Sequence, residues 1–305
     1  MRSVLTSALS LMVLTTASCR PPPDPPICAE YVEHDPAASA DTRVLPFDVW
    51  YTILVPGTAR RPALELPESP RECSGRPVAV RLSGQQDSAP PYSHTAAPIP
   101  RESITEKDIT FSPAPDGKLL IWARVEYYAD QTAIGPVALV QLVERGVEIR
   151  GIGTLLAPHK RANLYLEPFA DGDSLLVASG DICPSEGDIC RKETHFLPLV
   201  GQRFIQAGVI VDGEFEGPAK VAAHERVDVS DDVDGWIRRE EVDRTLRVTE
   251  TELSIAETVT ILKCDARVTP PECSEYKTTQ HSRVMTWTDG YFTTTSGVWE
   301  RMRAE

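Results

Sequence analysis

Phe111-Ser-Pro-Ala-Pro-Asp116-Gly117-Lys-Leu-Leu-Ile-Trp-Ala123 reads as a single β-hairpin, and the rest of the chain is organised on its pattern. Asp-Gly is the favoured tight-turn pair because both residues accept the positive φ that such turns require. The apolar run Leu119–Ala123 after it is too short for a helix and bounded by turn residues, as expected of a buried strand. The same layout returns at Leu166-Glu-Pro-Phe-Ala-Asp171-Gly172-Asp-Ser-Leu-Leu-Val-Ala178, where the Asp lies 55 residues on (171 less 116). Both copies run Pro, two residues, Asp-Gly, one or two residues, then Leu-Leu and an aliphatic residue, with Ala closing the stretch.

Two further apolar runs, Val137–Val143 and Val147–Leu156, follow the first hairpin, and His195–Val200 and Phe204–Val211 follow the second. Each unit therefore contains about four strands. Recurrence of a four-stranded unit at this spacing resembles the blades of a β-propeller. The turn Ser112-Pro113 with Asp116-Gly117-Lys118 is similar to the S-P-D-G-K turn of periplasmic propeller repeats, interrupted here by Ala114 and Pro115. The resemblance implies an all-β, antiparallel fold of propeller-like four-stranded repeats; a β-sandwich or barrel is the alternative. In the tail, Leu246–Met302, Leu253/Ile255, Val259/Ile261 and Val284/Trp287 sit among many Thr residues and alternate like half-buried strands, with Asp289-Gly290 as another turn. Val49–Val55 and Val78–Leu82 also read as strands, on either side of the Pro- and Arg-rich segment Pro56–Arg76. Gln85–Pro100 reads as a surface loop and a possible domain boundary. No long stretch has a helical period.

The chain begins with Met1-Arg2, an apolar run from Val4 to Leu14, and the small residues Thr15-Thr16-Ala17-Ser18 before Cys19. This is the layout of a secretory signal peptide, with an apolar stretch too short for a permanent span. Thr16-Ala17-Ser18-Cys19 resembles the lipobox of bacterial lipoproteins, with Thr16 in place of the usual Leu. The resemblance implies diacylglycerol on the Cys19 thiol, cleavage in front of it and a further acyl chain, such as palmitate, on the new amino end. Two or more chains anchor stably where one is marginal. Arg20 stands where an Asp would favour retention at the inner membrane, so the outer membrane is favoured. The domain reading is thus residues 1–18 as signal peptide, 19–27 as lipidated Cys and Pro-rich linker, and 28–305 as an all-β body outside the cytoplasm. The linker run Arg20–Pro26 favours an extended polyproline II spacer.

Removal of residues 1–18 leaves 287 of the 305 residues, and the formal charge moves from −14 to −15 as Arg2 is lost. So acidic a chain argues against nucleic acid and anionic lipid headgroups as partners. The membrane, reached through the N-terminal lipid, is the expected partner; any protein or glycan partner is undefined. Of seven cysteines, Cys19 is assigned to lipid, and the even remainder suits an oxidising compartment. Proximity pairs Cys183 with Cys190 and Cys264 with Cys273, leaving Cys28 for Cys73. A zinc site is the rival reading, but the chain has no C-x-x-C.

Ser230-Asp-Asp232-Val-Asp234-Gly235-Trp236-Ile237 through Glu241 matches the spacing of an EF-hand calcium loop, with Ser230, Asp232, Asp234 and Glu241 as side-chain ligands and Trp236 giving its carbonyl. Ser230 stands where that family has Asp. An acidic turn between two strands fits the same residues, because the β-branched residues beyond Glu241 suit a strand. Calcium is the one cofactor the sequence suggests. There is no G-x-S-x-G, P-loop or H-E-x-x-H, and Gly151-Ile-Gly153 reads as strand. The six histidines are scattered, so a catalytic group would have to assemble in space. Trp122, Tyr127, Tyr128, Trp236, Trp287 and Trp299 suggest either a stacking groove or core packing. The expected role is a non-enzymatic binding or structural module of the cell envelope. An envelope hydrolase with a spatially assembled site and a calcium-dependent adhesin are the alternatives.

Overall fold

A computed structural model describes residues 25–32, 45–61, 63–83, 94–101, 103–170, 173–183, 190–230, 235–250 and 252–304. The leader, Cys19, residues 20–24 of the proline spacer, Asp171-Gly172, Asp232 and Asp234 lie outside the described residues. The fold is all-β: curled antiparallel sheets make a half-barrel.

The N-terminal part supplies strand β1 (Cys28–Glu30), helix α1 (Phe47–Leu54), the small hairpin of β2 (Ala59–Arg61) and β3 (Ala63–Glu65), and β4 (Pro98–Ile99). Helix α1 corrects the strand expected at Val49–Val55. Its buried Trp50, Tyr51 and Leu54 share one helical face, Pro46 precedes it, and Asp48 lies in the first turn, where negative charge suits the helix dipole. Val49, Thr52 and Ile53 have β-prone side chains, but tertiary burial overrides that propensity. The second correction is Val78–Leu82. It joins no sheet, yet Val80 and Leu82 are buried against Ile134 and Leu156, and the segment is stitched down by Val78 N–H to the Pro70 carbonyl (2.9 Å) and Ser83 N–H to the Gln206 carbonyl (3.2 Å).

The first unit runs β5 (Ile109–Pro113), β6 (Leu119–Ala123), β8 (Thr132–Val143) and β9 (Gly146–Pro158), with the short extra strand β7 (Glu126–Tyr128) between β6 and β8. The second runs β10 (Lys160–Phe169), β11 (Asp173–Ile182), β12 (Arg191–Val200) and β13 (Arg203–Phe204). Both hairpins read from the sequence are present, with Pro113 opposite Leu119 and Phe169 opposite Asp173. Asp116 and Gly117 take φ of 60° and 69°, as their turn demands. The units do not stand apart as blades. They merge edge to edge in the order β10-β11-β12-β13-β9-β8-β6-β5, closer to the barrel or sandwich alternative.

The seam between the units is β13 lying parallel to β9, Arg203 opposite Ile152, with Ile152 N–H donating to the Gln202 carbonyl at 3.1 Å. Gly153 makes this approach possible, since a Cβ there would overlap the Phe204 carbonyl oxygen. Strand β6 is buried on both faces, which explains its unbroken apolar run. Ile121 and Ala123 pack with Trp50, Leu54, Val140 and Ile149, whereas Leu120 and Trp122 pack with Leu155, Leu164, Leu176 and Phe204.

The remaining strands are β14 (Gly208–Val211), β15 (Glu214–Pro218), β16 (Lys220–Ala222), β17 (His224–Ser230), β18 (Trp236–Val248), β19 (Glu252–Asp265), β20 (Glu272–Thr288) and β21 (Tyr291–Thr294), followed by α2 (Val298–Ala304). All but β16 form a second sheet, β15-β14-β21-β20-β19-β18-β17, whose edges are β15 and β17. Its Leu253, Ile255, Met285 and Phe292 pack on Phe169, Leu175, Val177 and Phe196 of the second unit. Helix α2 is fixed by buried charge. Arg244 bonds Glu257 (2.9 Å), Glu225 (2.7 Å) and Glu300 (3.2 Å), while Trp299 Nε1–H donates to Glu225 at 2.9 Å.

The disulfides Cys28–Cys73, Cys183–Cys190 and Cys264–Cys273 pair as proximity suggested. Among the described residues no helix is long and apolar enough to cross a membrane.

Candidate functional site

A cavity of about 430 Å³ lies where the start of β8 meets β12 and β16. Strand alternation builds one wall. Glu193 and His195 sit two apart on β12, so both face the same side, and Lys220 of β16 pairs opposite His195. His195 Nε2 lies 2.9 Å from Glu193 Oε1, and Lys220 Nζ reaches both carboxylate oxygens at 3.3 and 3.2 Å. Burial pushes the Glu193 carboxyl up, but His195 and the Lys220 ammonium outweigh it and hold the group at about 2. As a carboxylate Glu193 only accepts, so His195 Nε2 carries the proton. His195 Nδ1 is buried with no partner among the described residues.

The opposite wall is the turn between β7 and β8. Asp130 Oδ1 accepts from Thr132 N–H (3.1 Å) and Thr132 Oγ1 (2.7 Å), and Asp130 Oδ2 lies 2.9 Å from His94 Nε2. Thr132 Oγ1 is also 3.0 Å from that nitrogen. A hydrolytic relay places the acid on one ring nitrogen and the nucleophile on the other. Among the described residues, Asp130 and Thr132 both meet His94 at Nε2, and no hydroxyl meets His195 Nδ1. Two histidine–carboxylate pairs thus face one cavity without relay geometry. The rim is held by Gln131, whose side chain accepts from Cys183 N–H at 2.9 Å and donates to the Cys183 carbonyl, clamping the Cys183–Cys190 bridge to the cavity mouth.

Sequence reading did not single out these residues. His94 comes from the Gln85–Pro100 stretch and Asp130 from a turn, and no spacing links either to β12. The one legible signal was Glu193-Thr194-His195 just ahead of the apolar run Phe196–Val200, because period two sends Glu193 and His195 to one face.

Asp232 and Asp234 of the calcium reading lie outside the described residues. Strands flank the loop, with Ser230 opposite Ile237, and Glu241 lies opposite Arg226. Glu241 lies five positions along strand β18 from Trp236, roughly 16 Å at about 3.3 Å per residue. Among the described residues no three His, Cys, Asp or Glu side chains converge as metal ligands.

The aromatic residues form no common groove. Trp122, Tyr127 and Trp299 are core, Trp287 packs on Phe169 and Phe292, Tyr128 lies against His94, and Trp236 stacks under Lys263 and Arg267. Tyr127 also belongs to a buried lock. Its hydroxyl donates to Asp108 at 2.7 Å, Arg124 donates to it at 2.8 Å, and burial with the Asp108 contact pushes the phenol up to about 12.

Comparison with protein-family models, with curated proteins and with solved structures yields no match for this chain.

Proposed function

We propose that this chain is an exported lipoprotein, held at the cell envelope by lipid on Cys19, whose all-β body binds a small polar ligand. The observation that carries the binding reading is the cavity at His195: a buried ring nitrogen without a partner among the described residues, beside a paired carboxylate and the cations Lys220 and Arg191. Desolvated polar groups left open in this way are satisfied by a ligand or by water. The absence of relay geometry at either histidine favours binding over hydrolysis. A ligand suited to these walls offers a donor to Nδ1 and an anionic group to the cations, and free amino acids carry both.

The anchor rests on the leader and on the proline run after it, which would hold the body away from the bilayer. Cys19→Ala, or globomycin treatment, is expected to block processing and release the protein from the membrane fraction; unchanged mobility and location would overturn the anchor. Full-length protein in detergent, screened against single amino acids by thermal shift, is expected to be stabilised by at least one, and His195→Phe to lose the effect. No shift at millimolar amino acid would overturn the ligand reading.

A further inference from the structure

A second cleft, of about 680 Å³, lies on the other side of the buried segment Val78–Leu82, between the turn at residues 72–76 and the seam of β9 with β13. Three arginines border it, Arg76, Arg81 and Arg203, in a chain whose formal charge is −14. The single carboxylate in its lining, Glu72, is already committed. It is buried, accepts from Ser74 Oγ (3.0 Å), Thr154 Oγ1 (3.2 Å) and Arg203 (2.7 Å), and so cancels Arg203. Three guanidiniums against one carboxylate leave a surplus of two positive charges, on Arg76 and Arg81, whose exposed side chains have no ion-pair partner among the described residues.

The floor supplies the independent observation. Gln206 lines the cleft and is 3% exposed. Its Oε1 accepts the Leu156 N–H at 3.2 Å, which orients the amide, and its Nε2 is buried with no partner among the described residues. A buried N–H donor without an acceptor is costly unless something in the cleft accepts from it.

We propose that this cleft is an anion site for the phosphate group of an organic phosphate, held by Arg76, Arg81 and the Gln206 Nε2–H. A phosphate monoester near neutral pH carries close to the two negative charges that match the surplus, whereas a carboxylate supplies one. The cleft is larger than a phosphate group, and Pro77, Ala79 and Phe204 offer an apolar wall for the organic body. The site is separate from the His195 cavity and does not rest on the amino-acid reading.

The test is calorimetric titration of full-length protein in detergent with phenyl phosphate, inorganic phosphate and benzoate, and flotation with phosphatidylcholine vesicles with and without phosphatidic acid. Phenyl phosphate is expected to bind about tenfold more tightly than benzoate, and binding should weaken with added salt. Binding of the soluble ester alone assigns a soluble ligand; capture by phosphatidic acid vesicles assigns a lipid headgroup; either supports the site. Arg76→Gln with Arg81→Gln, both on exposed side chains, should weaken binding at least tenfold. Gln206→Glu, which keeps an acceptor for Leu156 N–H but places a carboxylate against the ligand, should abolish it. No binding to the wild type, or an unchanged affinity in the double arginine variant, overturns the proposal.

Discussion

Replacing Glu193 by Gln mimics a permanently protonated carboxyl without changing its shape, and the wall of the His195 cavity should respond in a pH-dependent way. The folded protein holds Glu193 at about 2, against an ordinary value of 4.5. At about 1.4 kcal/mol for each tenfold change in proton affinity, this corresponds to roughly 3 kcal/mol of stability from the charged form. The folded-state value is the lower one, so the contribution is complete above about pH 4.5 and fades as the pH falls towards about 2. Urea unfolding of wild type and Glu193→Gln, followed by the fluorescence of buried Trp50 and Trp122, isolates this term, because the other carboxyls are shared. The wild type should exceed the variant by about 3 kcal/mol at neutral pH, and the gap should close near pH 2. A gap that stays constant across this range would refute the reasoning, since it would mean that Glu193 contributes by packing and not by charge.

Gly153→Ala should cost about 1–3 kcal/mol by forcing the Phe204 backbone away from β9, seen as a lower urea midpoint; an unchanged midpoint would show that the seam yields without strain. Arg244→Leu leaves Glu257, whose side chain is 1% exposed, with only the more distant Arg283 (3.4 Å) and the Val298 N–H (3.3 Å), and should cost about 3 kcal/mol, with a red shift of Trp299 emission as α2 loosens. Equal melting temperatures for this variant and the wild type would remove the assigned role of that charge cluster.

The strands were legible where the local signals agreed. Asp116-Gly117 and Asp289-Gly290 both take positive φ between strands, and Asp212-Gly213, with φ of 50° and 91°, makes the β14–β15 turn by the same chemistry, though the sequence reading passed over it. The cysteine pairing followed from proximity. The way the four-stranded units assemble was not legible, because the seam depends on Gly153 meeting Phe204, a contact between residues far apart in the chain. Helix α1 was missed because its β-prone residues are outvoted by the burial of Trp50 and Tyr51, which only the tertiary structure supplies. The His195 cavity stayed hidden for a related reason: a loop, a turn and two strands contribute to it.

The edges of the second sheet carry a consequence for company. An uncovered edge strand is a template to which another chain can add. On β15, exposed Glu214 and Glu216 flank Phe215, a register shift interrupts the pairing with β14, and Pro218 ends the strand. On β17, His224, Glu225, Arg226 and Asp228 crowd the strand with charge, and Arg239 of β18 grips Asp228 at 2.7 and 3.0 Å. Both edges are therefore poor sites for an incoming strand, which protects the chain from self-association through this sheet. It also directs recruitment to concave, side-chain-lined places such as those at His195 and Gln206, and away from the extension of the sheet.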